Sequence, residues 1–114
     1  MAQIINLDVV YRILRRAAKA KEILAYFELS DEYQAATQVY IHYRGWGPSL
    51  GDVSRRCTNA GFPPVSTIVV VNKTGLPGYN YWGHVAGAPR TYNRKAWERI
   101  RDSVWRTSWP VKLP

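Results

Sequence analysis

A chain of 114 residues has room for one hydrophobic core and not two. Its net charge of +8, from 16 basic and 8 acidic side chains, gives it a positive field that attracts polyanions: nucleic acid, an anionic surface or an acidic protein. The one cysteine excludes an intrachain disulfide and a cysteine-built zinc site.

The charge is uneven. Residues 1–60 carry eight basic and six acidic side chains, and residues 61–114 carry eight and two. The first residues lack the basic and apolar regions of a signal peptide. The longest aliphatic run, Ile68–Val71, is too short to span a bilayer, so a reducing cytoplasm with no membrane contact is expected.

In chain order, Asn6 or Asp8 can cap a first helix, in which Val10, Ile13, Leu14 and Ala17 recur at helical spacing. Arg12, Arg15, Arg16 and Lys19 fall mostly off that stripe and suit the negative end of the helix dipole. Lys21–Tyr33 reads as a second helix, entered through a short extended stretch, with Ile23, Tyr26, Phe27 and Tyr33 as its apolar contributions. In Thr37–Arg44 the alternation of Val39, Ile41 and Tyr43 with Tyr40, His42 and Arg44 predicts a strand or extended element. Gly45-Trp-Gly-Pro48 breaks it.

Ser49 opens a third helix, where Ser49 and Asp52 approximate a capping box. Leu50, Val53 and Cys57 form its buried stripe, and Gly61 follows as its terminator ahead of Pro63-Pro64. Arg55, Arg56 and Asn59 lie away from the stripe. Ser66–Asn72 is the best strand, Lys73-Thr-Gly75 a hairpin turn, and Tyr79–Gly83 a short returning strand. Gly83–Pro89 reads as a loop. A last helix spans about 93–106 (92–107 at its widest) on a stripe of Trp97, Ile100 and Val104. Trp109-Pro110 ends the order.

This is one α+β domain over residues 1–114, helix-rich, with a small antiparallel hairpin and a C-terminal helix. Three helices followed by a two-stranded wing is the winged-helix plan, here over about 8–83, with a basic helix preceding the hairpin.

The segment 24–78 resembles the winged-helix half of the alkyltransferase-like DNA-repair proteins. Tyr26-Phe-Glu-Leu29, Pro63-Pro64 and Val70-Val-Asn-Lys-Thr-Gly75 carry the resemblance. It is also similar to small bacterial and phage proteins with a Pro-Pro strand and a Val-Val-Asn-Lys turn. The resemblance implies the fold and a DNA-binding role. It does not imply alkyl transfer, because Ser66-Thr-Ile-Val69 stands where that family has Pro-Cys-His-Arg with its acceptor cysteine.

Few residues suggest chemistry. His42 and His84 have no carboxylate at a metal-ligand spacing, and a plain surface role is expected for each. Cys57, on an apolar stripe, reads as a core thiol, although Arg55 and Arg56 would activate it if it were exposed. Glu98 and Asp102 lie four apart on the last helix and read as partners of Arg94, Arg101 or Arg106. No glycine-rich phosphate loop is present. Trp46, Tyr79, Tyr81 and Trp82 are core residues or stacking platforms for unpaired bases.

The expected function is non-enzymatic nucleic-acid binding, with DNA favoured and no cofactor or metal. Arg55, Arg56 and Asn59 would face a groove. Lys73 would meet a flanking phosphate, and Arg44, Arg94, Arg99 and Arg101 would hold the backbone. The arginines of the third and last helices should then gather into one positive surface. The alternatives are a bacterial or phage interaction module docking on an acidic protein, and an enzyme using Cys57 or His42.

Overall fold

The computed structural model describes residues 4–114. Helix α1 spans Leu7–Lys19, and the Asn6 side chain caps it by accepting from the amides of Asp8 and Val9. Arg16 and Lys19 occupy its last turn, where the dipole favours them. The expected extended entry to the second helix is strand β1, Leu24–Ala25, followed at once by α2, Tyr26–Thr37. Glu28 reaches back to accept from the Ala25 amide at 2.9 Å, which satisfies one free N–H at the helix start.

The apolar face of α2 differs from expectation. Tyr33 is buried and Tyr26 half-buried as expected, but Ile23 and Phe27 are 40% and 49% exposed, and Leu24, Leu29 and Ser30 are buried instead. Residues 38–42 form no strand, although the alternation of 37–44 suggested one. Among the described residues no strand runs alongside to pair with them. Instead Ile41 enters the core and its carbonyl accepts from the buried Ser30 hydroxyl at 2.6 Å. The same hydroxyl accepts from the indole of Trp46 at 2.8 Å, and Trp46 is fully buried against Tyr33.

A single 3-10 turn, Tyr43–Gly45, leads into helix α3, Gly47–Asn59. The helix begins two residues before Ser49. Ser49 therefore lies inside it, and the capping box with Asp52 does not form; no side chain caps this end. Gly61, at φ 88°, ends the helix as expected, with the Phe62 amide returning to the Cys57 carbonyl at 2.9 Å.

Ser66–Asn72 is not one strand. Val65–Ile68 is a 3-10 turn, and only Val69–Val70 form strand β2. Strand β2 pairs with β1 in parallel, Leu24 opposite Val69 and Ala25 opposite Val70, so the expected antiparallel two-stranded hairpin is replaced by a parallel pair. Tyr79–Gly83 does not return as a strand. The Gly78 amide is taken by the Tyr26 hydroxyl and the Tyr81 side chain turns inward, which holds this segment in turns. A tight turn at 71–76 does form, closed by one antiparallel bridge between Val71 and Leu76, with Gly75 at φ 70°.

Helix α4, Arg94–Arg106, is capped by Asn93, and buries Trp97 and Val104. The residues after it are not a loose tail. Trp109 and Leu113 are buried, and the Tyr11 hydroxyl donates to the Pro110 carbonyl at 2.6 Å. The architecture is α+β: four helices around a two-stranded parallel pair, with Val65–Ile68 in contact with α1, α3 and α4. No helix is long and apolar enough to cross a membrane.

Ser30 is the polar pivot of the α2–α3 connection. Ser30→Ala leaves a buried indole N–H and a buried carbonyl without partners, at an expected cost of about 2–3 kcal/mol. Urea denaturation checks this; a loss below about 0.5 kcal/mol contradicts the role assigned to the hydroxyl.

Candidate nucleic-acid interface

The N-terminal half of α3 and the loop at 78–86 enclose an open depression. One lobe, about 420 Å³, is lined by Gly47, Pro48, Gly51, Asp52 and Arg55 from the helix, and by Asn80, His84 and Val85 from the loop. A second lobe, about 260 Å³, lies between Tyr43, Arg44, Tyr26, Val71 and Tyr79. Gly47 and Asn80 line both, so the two lobes adjoin on either side of the contact between these residues.

Local sequence explains this shape. A Cβ at Gly47 would collide with the Asn80 side chain, so glycine lets the loop sit on the first turn of the helix. A Cβ at Gly51 would meet nothing, which leaves the helix floor low. On the other side the Tyr26 hydroxyl, in accepting from the Gly78 amide at 3.1 Å, fastens the loop to α2. The Tyr81 hydroxyl and Thr67 Oγ1 are 2.9 Å apart. Because the Thr67 hydrogen goes to the Pro64 carbonyl at 2.7 Å, Tyr81 is the donor of this pair. Burial pushes the Tyr81 phenol up to about 12.

Two aromatic rings stand at the rim. Tyr79 is 81% exposed and lies 5.5 Å from the His84 ring; Tyr43 lies 4.3 Å from the His42 ring. The Arg44 guanidinium is 5.6 Å from the Tyr43 ring centroid. The only carboxylate lining either lobe is that of Asp52, bound to Arg55 at 2.7 Å. Both partners are well exposed, so the pair is weak and Arg55 remains free to change partner.

The expected binding residues divide into groups. Arg44 and Arg55 line the depression, and the Lys73 turn rises from Val71 at its edge. Asn59 is exposed on the outward stripe of α3, at helical spacing from Pro48, Asp52 and Arg55. Arg56 points elsewhere, donating through Nε to the Pro114 carbonyl at 2.9 Å. Arg94 and Arg99 are exposed on α4, but no α4 side chain lines the depression. Arg101 is committed internally: it stacks on Trp97 and Trp105, at 5.1 and 4.6 Å, and binds Asp102. The arginines of α3 and α4 thus do not share the depression; the two helices meet through Val65–Ile68.

Sequence reasoning missed Tyr43, Asn80 and the helix floor at Pro48 and Gly51. Gly45-Trp-Gly-Pro48 read as a turn, although the low side-chain volume of Gly47 and Gly51 at helical spacing was the available signal. Of the four aromatics considered for stacking, Trp46 and Tyr81 are core, Trp82 is half-buried, and Tyr79 is at the surface.

Reactive groups are sparse. Cys57 is fully buried, and burial pushes its thiol up to about 11, so it is neutral and inaccessible. Ser66, Thr67, Ile68 and Val69 are all buried. Among the described residues, no three His, Cys, Asp or Glu side chains gather where they could hold a metal. No protein family, curated protein or solved structure matches this chain.

The buried thiol sets an alkaline limit. Its folded value lies above the ordinary 9.0, so above about pH 9 the unfolded chain releases its proton first and stability falls as pH rises. Denaturation midpoints should therefore drop from about pH 9 upward, and Cys57→Ala should flatten the first part of that fall. Thiol titration of the folded protein should show no reaction; rapid labelling of native Cys57 contradicts its burial.

Proposed function

We propose that this chain is a non-enzymatic nucleic-acid-binding protein, with DNA as its expected ligand, and that it binds through the depression along α3. One observation carries the reading. From Val53 to Trp97 the chain contains no carboxylate, and this run supplies Arg55 at the end of the α3 floor, the Lys73 turn and the loop at 78–86; its other basic residues, Arg56, Arg90, Arg94 and Lys95, do not line the depression. A polyanion laid along that surface meets Arg55, Lys73 and the neighbouring Arg44 with one opposing charge, Asp52.

The physical roles follow from position. Arg44, Arg55 and Lys73 hold phosphates and supply salt-sensitive affinity. The first turn of α3, uncapped by any side chain, adds the positive end of the helix dipole. Tyr79 offers an exposed face for an unpaired base. In this reading α2, the connection at 38–46 and α3 act as a helix-turn-helix, and the 71–76 turn as a shortened wing. The buried Cys57 supports a binding role over nucleophilic catalysis.

The test is fluorescence anisotropy with labelled single- and double-stranded DNA and RNA at several salt concentrations. Arg44→Ala with Lys73→Ala should lower affinity about tenfold at low salt and reduce the salt slope by about 2. Asp52→Asn should tighten binding, since it removes the opposing carboxylate. Lys19→Ala, on α1, should change little. Absence of binding to every probe at low salt overturns the function.

A further inference from the structure

The molecule has a second open face, built by α1 and α2 and separate from the depression along α3. Its floor is apolar: Val9 and Ile13 from α1, Ala35 and Ala36 from α2, around a hollow of about 450 Å³. Both alanines are exposed, and their small side chains let another helix approach closely. Arg12, Arg16 and Glu32 form the rim.

The charges of the two helices are opposite and matched. On this face helix α1 presents Arg12 and Arg16, while Arg15 and Lys19 turn away towards residues 107–109, where Arg15 donates to the Trp109 carbonyl at 3.2 Å. Helix α2 presents Glu32 at the hollow and Asp31 beside it, with no base along its length. Within the chain this attraction is only partly used. Arg16 binds Glu32 at 2.9 Å and Glu22 at 3.4 Å. Arg12 and Asp31 are exposed, and among the described residues neither has an ion-pair partner. Arg12 lines the hollow, and Asp31 lies one helical turn before Ala35 on its other side.

We infer that the occupant of this face is a second copy of the same chain, related by a two-fold axis. A face with a positive row on one helix and a negative row on the next is complementary to itself when rotated. The axis lays α1 of one copy over α2 of the other, so each Arg12 meets an Asp31, and the contact occurs twice. An unrelated acidic partner would find the α2 row repulsive, and a basic one the α1 row; a second copy satisfies both. One exposed pair contributes little, but reversing one charge converts two attractions per dimer into two repulsions. A dimer of this kind presents two α3 faces to a ligand.

Sedimentation of the full chain, with nuclease-treated protein, tests the inference. The wild type should reach twice the 13.1 kDa chain mass with increasing concentration. Arg12→Asp and Asp31→Arg should each raise the dimer dissociation constant at least about tenfold while circular dichroism stays unchanged. Mixing the two variants should restore the dimer. In the heterodimer one contact joins the two introduced charges, which are opposite in sign, and the other joins a native Arg12 to a native Asp31. A wild type that stays monomeric at the highest usable concentration overturns the inference. So does a dimer that both variants leave intact, or a mixture that fails to reassociate. Anisotropy on the same samples keeps this outcome apart from nucleic-acid binding.

Discussion

The structure depends on the burial of one short polar segment, Val65–Ile68, among three helices. Its side chains are inaccessible, and its polar groups are satisfied from several directions. The Trp97 indole donates to the Thr67 carbonyl at 2.8 Å, Tyr81 donates to the Thr67 hydroxyl, and Ser54 of α3 donates to the Ser66 hydroxyl at 2.6 Å. An unpaired group in such a place costs about twice what a paired one contributes, so these bonds fix position more than they add stability. They set α3, α4 and the loop at 78–86 relative to one another. The depression along α3 exists because that loop is held down at Tyr81 and at Gly78 while the helix offers it glycine.

Charge is distributed to match. Where helices pack on each other at the N-terminal end, basic and acidic side chains occur together, and Arg16 is shared between Glu22 and Glu32. Around the depression the carboxylates disappear, leaving cations that nothing in the chain neutralises except Asp52. Such a field gains energy only when a polyanion arrives, and its effect falls with salt. The arginine on α4 that does find partners, Arg101, serves packing: its stem and guanidinium cover Trp97 and Trp105.

Three helices were legible because each has a long apolar stripe, with Asn6 before α1 and Gly61 after α3 as punctuation; α2, with no sharp stripe, was expected at 21–33 and spans Tyr26–Thr37. The strands were not. Within Ser66–Asn72 the β-branched residues up to Val70 are buried, and composition alone cannot separate a buried strand from a buried 3-10 turn. The pairing of β1 with β2 joins residues 45 apart through two residues each, which leaves no periodic trace. The alternation at 37–44 reflects one anchor, Ile41, and not a sheet face. The depression was half legible. Its cations could be named, but their grouping depends on Asn80 meeting Gly47 and on Arg56 turning to the chain end, and both are tertiary.

Backbone amide NMR during titration with a short DNA strand and its duplex shows whether a polyanion lies along the N-terminal half of α3. Perturbations should concentrate in residues 43–55 and 71–86 and fade as salt rises. Perturbations centred on α4 or on α1 and α2, or a spectrum that DNA leaves unchanged, would contradict that position.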